Sequence, residues 1–296
     1  MLYGVLTLQM WVLGAGILSK MSCWHSMPNG YGNGWLRASL AMSLGFGLDA
    51  VWLFLLGVLG ALTLPWVCGG LLLATLFAGK ALRWAHPRLS ASQAWLLLAA
   101  ILLFVGIGVN ALRSPGFWDD TMYHLPLARA YLQAHGLVLV PFLRFPLFPQ
   151  YMDLMLTLGL MLGGAGGDFL AQGLATLPLF IVSLGLVGVA AAITSAYWPG
   201  FAAVVLLFTL GPIRDALGYA YVDNGLLLFC WSALVALTLS IDAGRASKSA
   251  LSWAALAGFF AGVAAGTKYF GVPLAGLAGL WFFLLTRHWR ATLVYG

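Results

Sequence analysis

The chain has 296 residues, 62% of them apolar and only 7% charged, with 14 Lys and Arg against 8 acidic residues. A soluble domain carries about 25% charged residues, so composition excludes a water-soluble globule, and a mean hydropathy of +0.97 agrees. The net charge of +6 is small and spread along the chain, which suits membrane orientation rather than nucleic-acid binding.

A membrane crossing takes about 20 apolar residues. Apolar runs fall at 2–19, 38–60, 62–79, 93–112, 168–192, 198–213, 217–240, 251–267 and 269–286, with a shorter apolar segment at 147–163. The runs are continuous rather than alternating, which disfavours a β-barrel. They predict an all-α polytopic transmembrane bundle of about nine crossings plus one large loop with juxtamembrane helices. Residues 1–112 form an N-terminal set of helices, 113–167 the loop and juxtamembrane segment, and 168–296 a C-terminal set. Abundant Gly (37), with 13 Trp and 10 Tyr, suits close helix packing and interfacial belts. Cys23, Cys68 and Cys230 stand far apart with no ligand spacing, so neither a disulfide nor a metal is expected of them.

Basic residues orient the bundle. Lys20 and Arg37, Lys80 with Arg83 and Arg88, Arg245 with Lys248, and Arg287, His288 and Arg290 mark four connectors. The positive-inside rule makes all four cytoplasmic. Nine alternating crossings satisfy this when 147–163 does not cross, with the N-terminus outside and the C-terminus inside. Asp119, Asp120, Asp153, Asp168, Asp215 and Asp223 then collect at the outer face, while Asp242 lies inside and Asp49 sits within a run. The chain contains no Glu, so any carboxylate chemistry falls to these aspartates. Ionisable groups near hydrocarbon are costly and mark function. The plainer reading is that loops need polar residues.

The long loop reads Trp118-Asp119-Asp120-Thr121-Met122-Tyr123-His124-Leu125-Pro126 soon after a membrane exit. An amphipathic stretch follows (Leu125, Leu127, Ala128, Tyr131, Leu132), and Pro141–Pro149 carries Arg144 among aromatics. Tyr219-Ala220-Tyr221-Val222-Asp223-Asn224 opens a later run, and a Gly-rich run over 261–267 ends in Lys268. Asp223 also reads as a helix N-cap, and Lys268 as a snorkelling cation.

In this order the three segments resemble the GT-C superfamily of polytopic glycosyltransferases, which use polyprenyl-phosphate sugars. Protein mannosyltransferases and the aminoarabinose transferases of lipid A are examples. The resemblance covers about 113–273, and 1–112 matches no motif. It implies transfer of one sugar from a polyprenyl-phosphate donor to a hydroxyl of a lipid, glycan or protein acceptor. It places the site at the extracytoplasmic face of a bacterial inner membrane, with the bilayer as partner. It implies Asp119 as general base, with Asp120 as the alternative, and Asp223 as a positioning acid. Tyr123, His124, Arg144 and Lys268 are implied substrate contacts, the two cations facing the leaving phosphate. Many relatives carry Glu where this chain has Asp153, a departure that bears on use of a divalent cation (Mg or Mn). Members of the superfamily are usually longer, so the chain is expected to be a fragment or a shortened member.

Two other function classes compete. A transporter or lipid flippase would place ionisable groups near the midplane and show inverted repeats; only Asp49 speaks for it. A non-catalytic scaffold would tolerate neutral outer acids. Arg129 reads as a headgroup contact and the adjacent Arg214-Asp215 as structural.

Overall fold

The computed structural model describes all residues except 26, 28–30, 32, 83–90, 146, 148 and 245–246, with backbone only at 91–94, 96 and 97. Arg83, Arg88 and Arg245 lie outside the described residues. In chain order the helices are α1 (Leu2–Leu18), α2 (Ser22–His25), α3 (Gly34–Val58), α4 (Leu64–Gly79), α5 (Ala91–Asn110), α6 (Leu125–Ala134) and α7 (Tyr151–Gly163). They continue with α8 (Gly167–Thr194), α9 (Trp198–Thr209), α10 (Gly211–Ala216), α11 (Asp223–Asp242), α12 (Lys248–Thr267), α13 (Gly271–Thr286) and α14 (Trp289–Tyr295). A π-helical turn spans Asp120–His124 and a 3₁₀ turn spans Gly164–Gly166. No strand occurs among the described residues.

Four helical stretches are long and apolar enough to cross a membrane: Gly34–Val58, Tyr151–Thr194, Asp223–Asp242 and Lys248–Thr267. The apolar helices α1, α4, α9 and α13 have 17, 16, 12 and 16 residues. At 1.5 Å per residue they measure about 18–26 Å, short of a hydrocarbon core of about 30 Å. Within Tyr151–Thr194 the chain reverses at Gly164, whose φ is +53°. The 13-residue α7 packs back along the first turns of α8, and a Cβ on Gly159 would lie 2.5 Å from the Ala171 backbone.

Local chemistry sets the boundaries. The Asn33 side chain accepts from the Leu36 amide and starts α3 ahead of its apolar run. Ser247 caps α12 in the same way at Ala250. The run over 198–213 breaks before Gly211-Pro212 into α9 and α10. The run over 217–240 is helical only from Asp223. Ahead of it, Gly218 takes φ +89° pressed against the Asn110 carbonyl, where a Cβ would lie 2.2 Å from that oxygen.

Lipid gives helices no hydrophobic drive to associate, so close packing and interhelical hydrogen bonds hold such bundles. Gly14 and Gly45 let α1 and α3 touch backbone to backbone: added Cβ atoms would meet Ala41 O at 1.8 Å and Met10 O at 1.9 Å. Ser39 donates to the Ile181 carbonyl of α8, and Ser232 of α11 donates to Ser43.

The connectors segregate to two ends. Of the described residues, one end holds 59–63, 111–145, 147, 149–150, 217–222 and 268–270, and is the loop end. The other holds 19–25, 27, 31, 33, 195–197, 243–244, 247 and 287–288. Lys20, Arg37, Lys80, Lys248, Arg287, His288 and Arg290 lie at or near the second end with Asp242. Asp119, Asp120, Asp153, Asp168, Asp215 and Asp223 lie at the loop end, and Asp49 is buried within α3.

Candidate functional site

The site is a polar cluster at the loop end, built where the starts of α7 and α11, the end of α12 and the π turn meet. The loop is pinned at three places. Gln172 of α8 donates to the carbonyls of Ala111 and Arg113. The Leu62 amide donates to the His135 carbonyl, and the Leu137 amide to the Gly57 carbonyl. The Tyr269 hydroxyl donates to the Leu147 carbonyl.

Asp119 caps the π turn and is partly exposed. The wider π turn is frequent at functional sites. Here it brings Tyr123 back under Asp119, and the Tyr123 hydroxyl donates to the Asp119 carboxylate. Tyr123 is buried, and burial pushes its pKa far up. The Asp119 hydrogen bond adds to this, followed by the negative charges of Asp119, Asp223 and Asp153. Three carboxylates from three segments therefore act electrostatically on one phenol. Tyr221 stands nearby, its hydroxyl accepting from the Asp119 amide. Burial and the charges of Asp119, Asp120 and Asp223 push its pKa to about 12.

Asp120 differs from its neighbour. It is fully buried, and among the described residues no side chain donates to its carboxylate. Burial raises its pKa, against a weaker downward pull from the backbone amides of Gly116, Thr121 and Phe117 and from His124. The structure thus separates the pair: Asp119 opens to the cluster, while Asp120 faces inward.

His124 Nδ1 lies 2.7 Å from Asp153 Oδ1, and the two side chains are only 2% and 1% exposed. Asp153 sits in the first turn of α7, and Thr157 one turn on reaches the Ala128 carbonyl of α6. The pair locks the π turn to α7. Among the described residues no group of three or more His, Cys, Asp or Glu is placed to hold a metal ion. His124 and Asp153, spent on each other, are a sparse donor set for a divalent cation.

Lys268 Nζ lies 2.6 Å from Asp223 Oδ1, with side-chain exposures of 19% and 48%. Asn224, beside Asp223, donates to the Ala175 carbonyl and fixes the start of α11 on α8. Arg144 is exposed, its guanidinium 4.5 Å from the centre of the Trp118 ring and 5.1 Å from that of Phe145. Phe145 packs edge-on against Tyr123 at 5.4 Å. Phe117 packs on Tyr219 and Tyr221.

The sequence-predicted residues thus fall together. Asp119 hydrogen-bonds Tyr123, and the charges of Asp223 and Asp153 bear on the same phenol; Lys268 pairs with Asp223, His124 with Asp153, and Arg144 lies over Trp118 and Phe145. Arg129 lies apart, paired to Asp168 at 2.6 Å, and Arg214 pairs with its neighbour Asp215 at 3.0 Å. Sequence reading missed Tyr221 and the His124–Asp153 pairing. The four-residue spacing of Asp119 and Tyr123 carried a signal, since side chains so spaced meet on a helical turn. Nothing in the sequence joined residues 29 apart. A cavity of about 680 Å³ lies between α1, α3, α5 and α8. It is apolar, and none of these site residues lines it.

No known family's model matches the chain, and no solved structure matches it. Over 151 residues the chain is 49% identical to an uncharacterized protein of Shigella flexneri, a match covering 51% of this chain and 74% of the relative. The chain belongs to the family of that Shigella protein.

Proposed function

We propose that the protein is a GT-C-type membrane glycosyltransferase that moves one sugar from a polyprenyl-phosphate donor to a hydroxyl of a lipid, glycan or protein acceptor. The observation that carries this reading is the hydrogen bond of the Tyr123 hydroxyl to Asp119, with the Asp223 charge bearing on the same phenol and Lys268 held against Asp223. A donor of this kind keeps its lipid in the bilayer and its sugar at the interface, so a site of mixed charge at one end of an apolar bundle suits it.

In the proposed reaction the Asp119 carboxylate takes the proton of the acceptor hydroxyl as that oxygen attacks the anomeric carbon. The bond from that carbon to the phosphate oxygen breaks, and its electron pair leaves with the polyprenyl phosphate. A positioned base contributes about 10²–10⁴-fold. Tyr123 orients one side of the carboxylate, and Tyr221 holds the Asp119 backbone. Lys268 and Arg144 face the charge developing on the phosphate. Direct attack inverts the anomeric configuration. The buried Asp120 orders the turn without touching substrate.

The bundle is read as nine crossings with the loop end outside a bacterial inner membrane, α7 standing at that face without crossing. The separation of acids from basic residues between the two ends supports this orientation.

A donor screen in membranes containing the full chain, with radiolabelled polyprenyl-phosphate sugars, tests the reading. Transfer that depends on the chain and vanishes in Asp119→Asn is the expected result. Full transfer by that variant removes Asp119 from the mechanism. A transporter or flippase is the second reading, favoured only by the buried Asp49. Donor-independent lipid movement lost on neutralising Asp49, with no transfer, would support it.

A further inference from the structure

Asp49 lies in the middle of α3 and is fully buried. Gln9 of α1 donates through Nε2 to Asp49 Oδ1 at 3.2 Å, and Nε2 also lies 3.2 Å from Thr75 Oγ1 of α4. The Thr75 hydroxyl spends its own proton on the Leu71 carbonyl at 2.6 Å. Thr75 therefore accepts from Gln9, and this fixes which end of the Gln9 amide is NH₂. Both of its N–H bonds are used. Two acceptors on the same linked side chains are then left buried with no donor: Asp49 Oδ2 and Gln9 Oε1.

One hydrogen answers both. A carboxylic acid and a primary amide form a reciprocal pair, amide N–H to acid carbonyl and acid O–H to amide carbonyl. The Gln9–Asp49 contact is the first half of that pair. We infer that Asp49 and Gln9 form an acid–amide pair that holds one proton inside the bundle, taken up from solvent on Asp49 Oδ2 and donated to Gln9 Oε1. A buried ionised carboxylate without a cation is far more costly than the neutral acid, and among the described residues no cation faces this one. Tyr3 stands six residues before Gln9 on α1, and Cys68 seven before Thr75 on α4. Tyr151, Asp153 and Asp168 lie at the loop end of α7 and α8. On α11, Asp223 and Asp242 are terminal and Cys230 faces Tyr295. Lys248 starts α12 at the far end.

The inference is independent of sugar transfer. It is tested on the full chain in detergent or lipid discs by infrared spectroscopy at neutral pH. The expected result is a protonated-carboxyl C=O band that disappears in Asp49→Asn and shifts in Gln9→Leu. Asp49→Asn reproduces both hydrogen bonds as an amide–amide pair, so its thermal unfolding should match the native chain, while Asp49→Ala unfolds several degrees lower. Three results would overturn the inference. They are no Asp49-dependent band at neutral pH, Asp49→Asn as unstable as Asp49→Ala, or stabilisation by sodium ions that Asp49→Asn abolishes.

Discussion

Lys268 and Asp223 touch at 2.6 Å, joining the residue that follows α12 to the first turn of α11. A pair this exposed contributes only about 0–1 kcal/mol to stability. Its place beside Tyr123 and Asp119 is therefore better explained by what it presents to a ligand. Lys268→Ala should leave the unfolding temperature nearly unchanged and raise the KM for the sugar-phosphate donor about tenfold or more. Lys268→Arg should recover part of the loss. Donor titrations on purified variants check this.

Asp119→Asn should lower transfer by about 10²–10⁴-fold, the usual worth of a general base, with unchanged expression and membrane insertion. Tyr123→Phe removes the hydroxyl that holds the Asp119 carboxylate and should lower transfer about tenfold, the worth of one hydrogen bond, with unchanged expression. Single-turnover transfer by the native chain and Tyr123→Phe reads the loss.

Asp120 offers a stability test with a definite sign. Burial raises its folded pKa above the ordinary value of 3.8. The folded chain therefore holds that proton more tightly than the unfolded chain. The associated stability is present below 3.8 and is lost as pH climbs through the raised value. Asp120→Asn mimics the protonated acid. It should raise Tm at neutral pH, on the order of 2 °C, and flatten the pH dependence above 3.8, while transfer stays within about tenfold. Thermal scans at several pH values against the native chain measure it.

The His124–Asp153 pair should respond to removal more than to neutral replacement. Asp153→Ala strands a buried imidazole, a loss of about 1–3 kcal/mol for a buried polar group left without its partner. Asp153→Asn keeps an acceptor for Nδ1 and should lose much less. Denaturation monitored by tryptophan fluorescence separates the two.

Much of the helix plan was legible because lipid demands long apolar runs. α1, α4, α8 and α13 begin and end within two or three residues of theirs. The amphipathic stretch after Pro126 is α6, and 147–163 holds the short α7. The break at Gly211-Pro212 was not read, because apolar residues continue through it. The start of a helix at Asp223 was legible from the acid itself, although the apolar run was drawn from 217. Only the Gly218 contact with Asn110 shows why the backbone turns ahead of it. At the site, the members could be named from the sequence but not their pairing. His124 with Asp153, Lys268 with Asp223, and Gln9 with Asp49 depend on helix register across 29 to 45 residues, and composition carries no record of register.

The stitches at Gln172 and at the 57–62 corner have a mechanical consequence. The polypeptide between Ala111 and Leu137 is fastened to α8 at one margin and to α3 at the other. It rides on its supports as a bracket rather than waving as a tether. A tilt between α3 and α8 would therefore be felt directly at the Asp119 carboxylate, so bilayer thickness becomes a variable that the site's geometry can register.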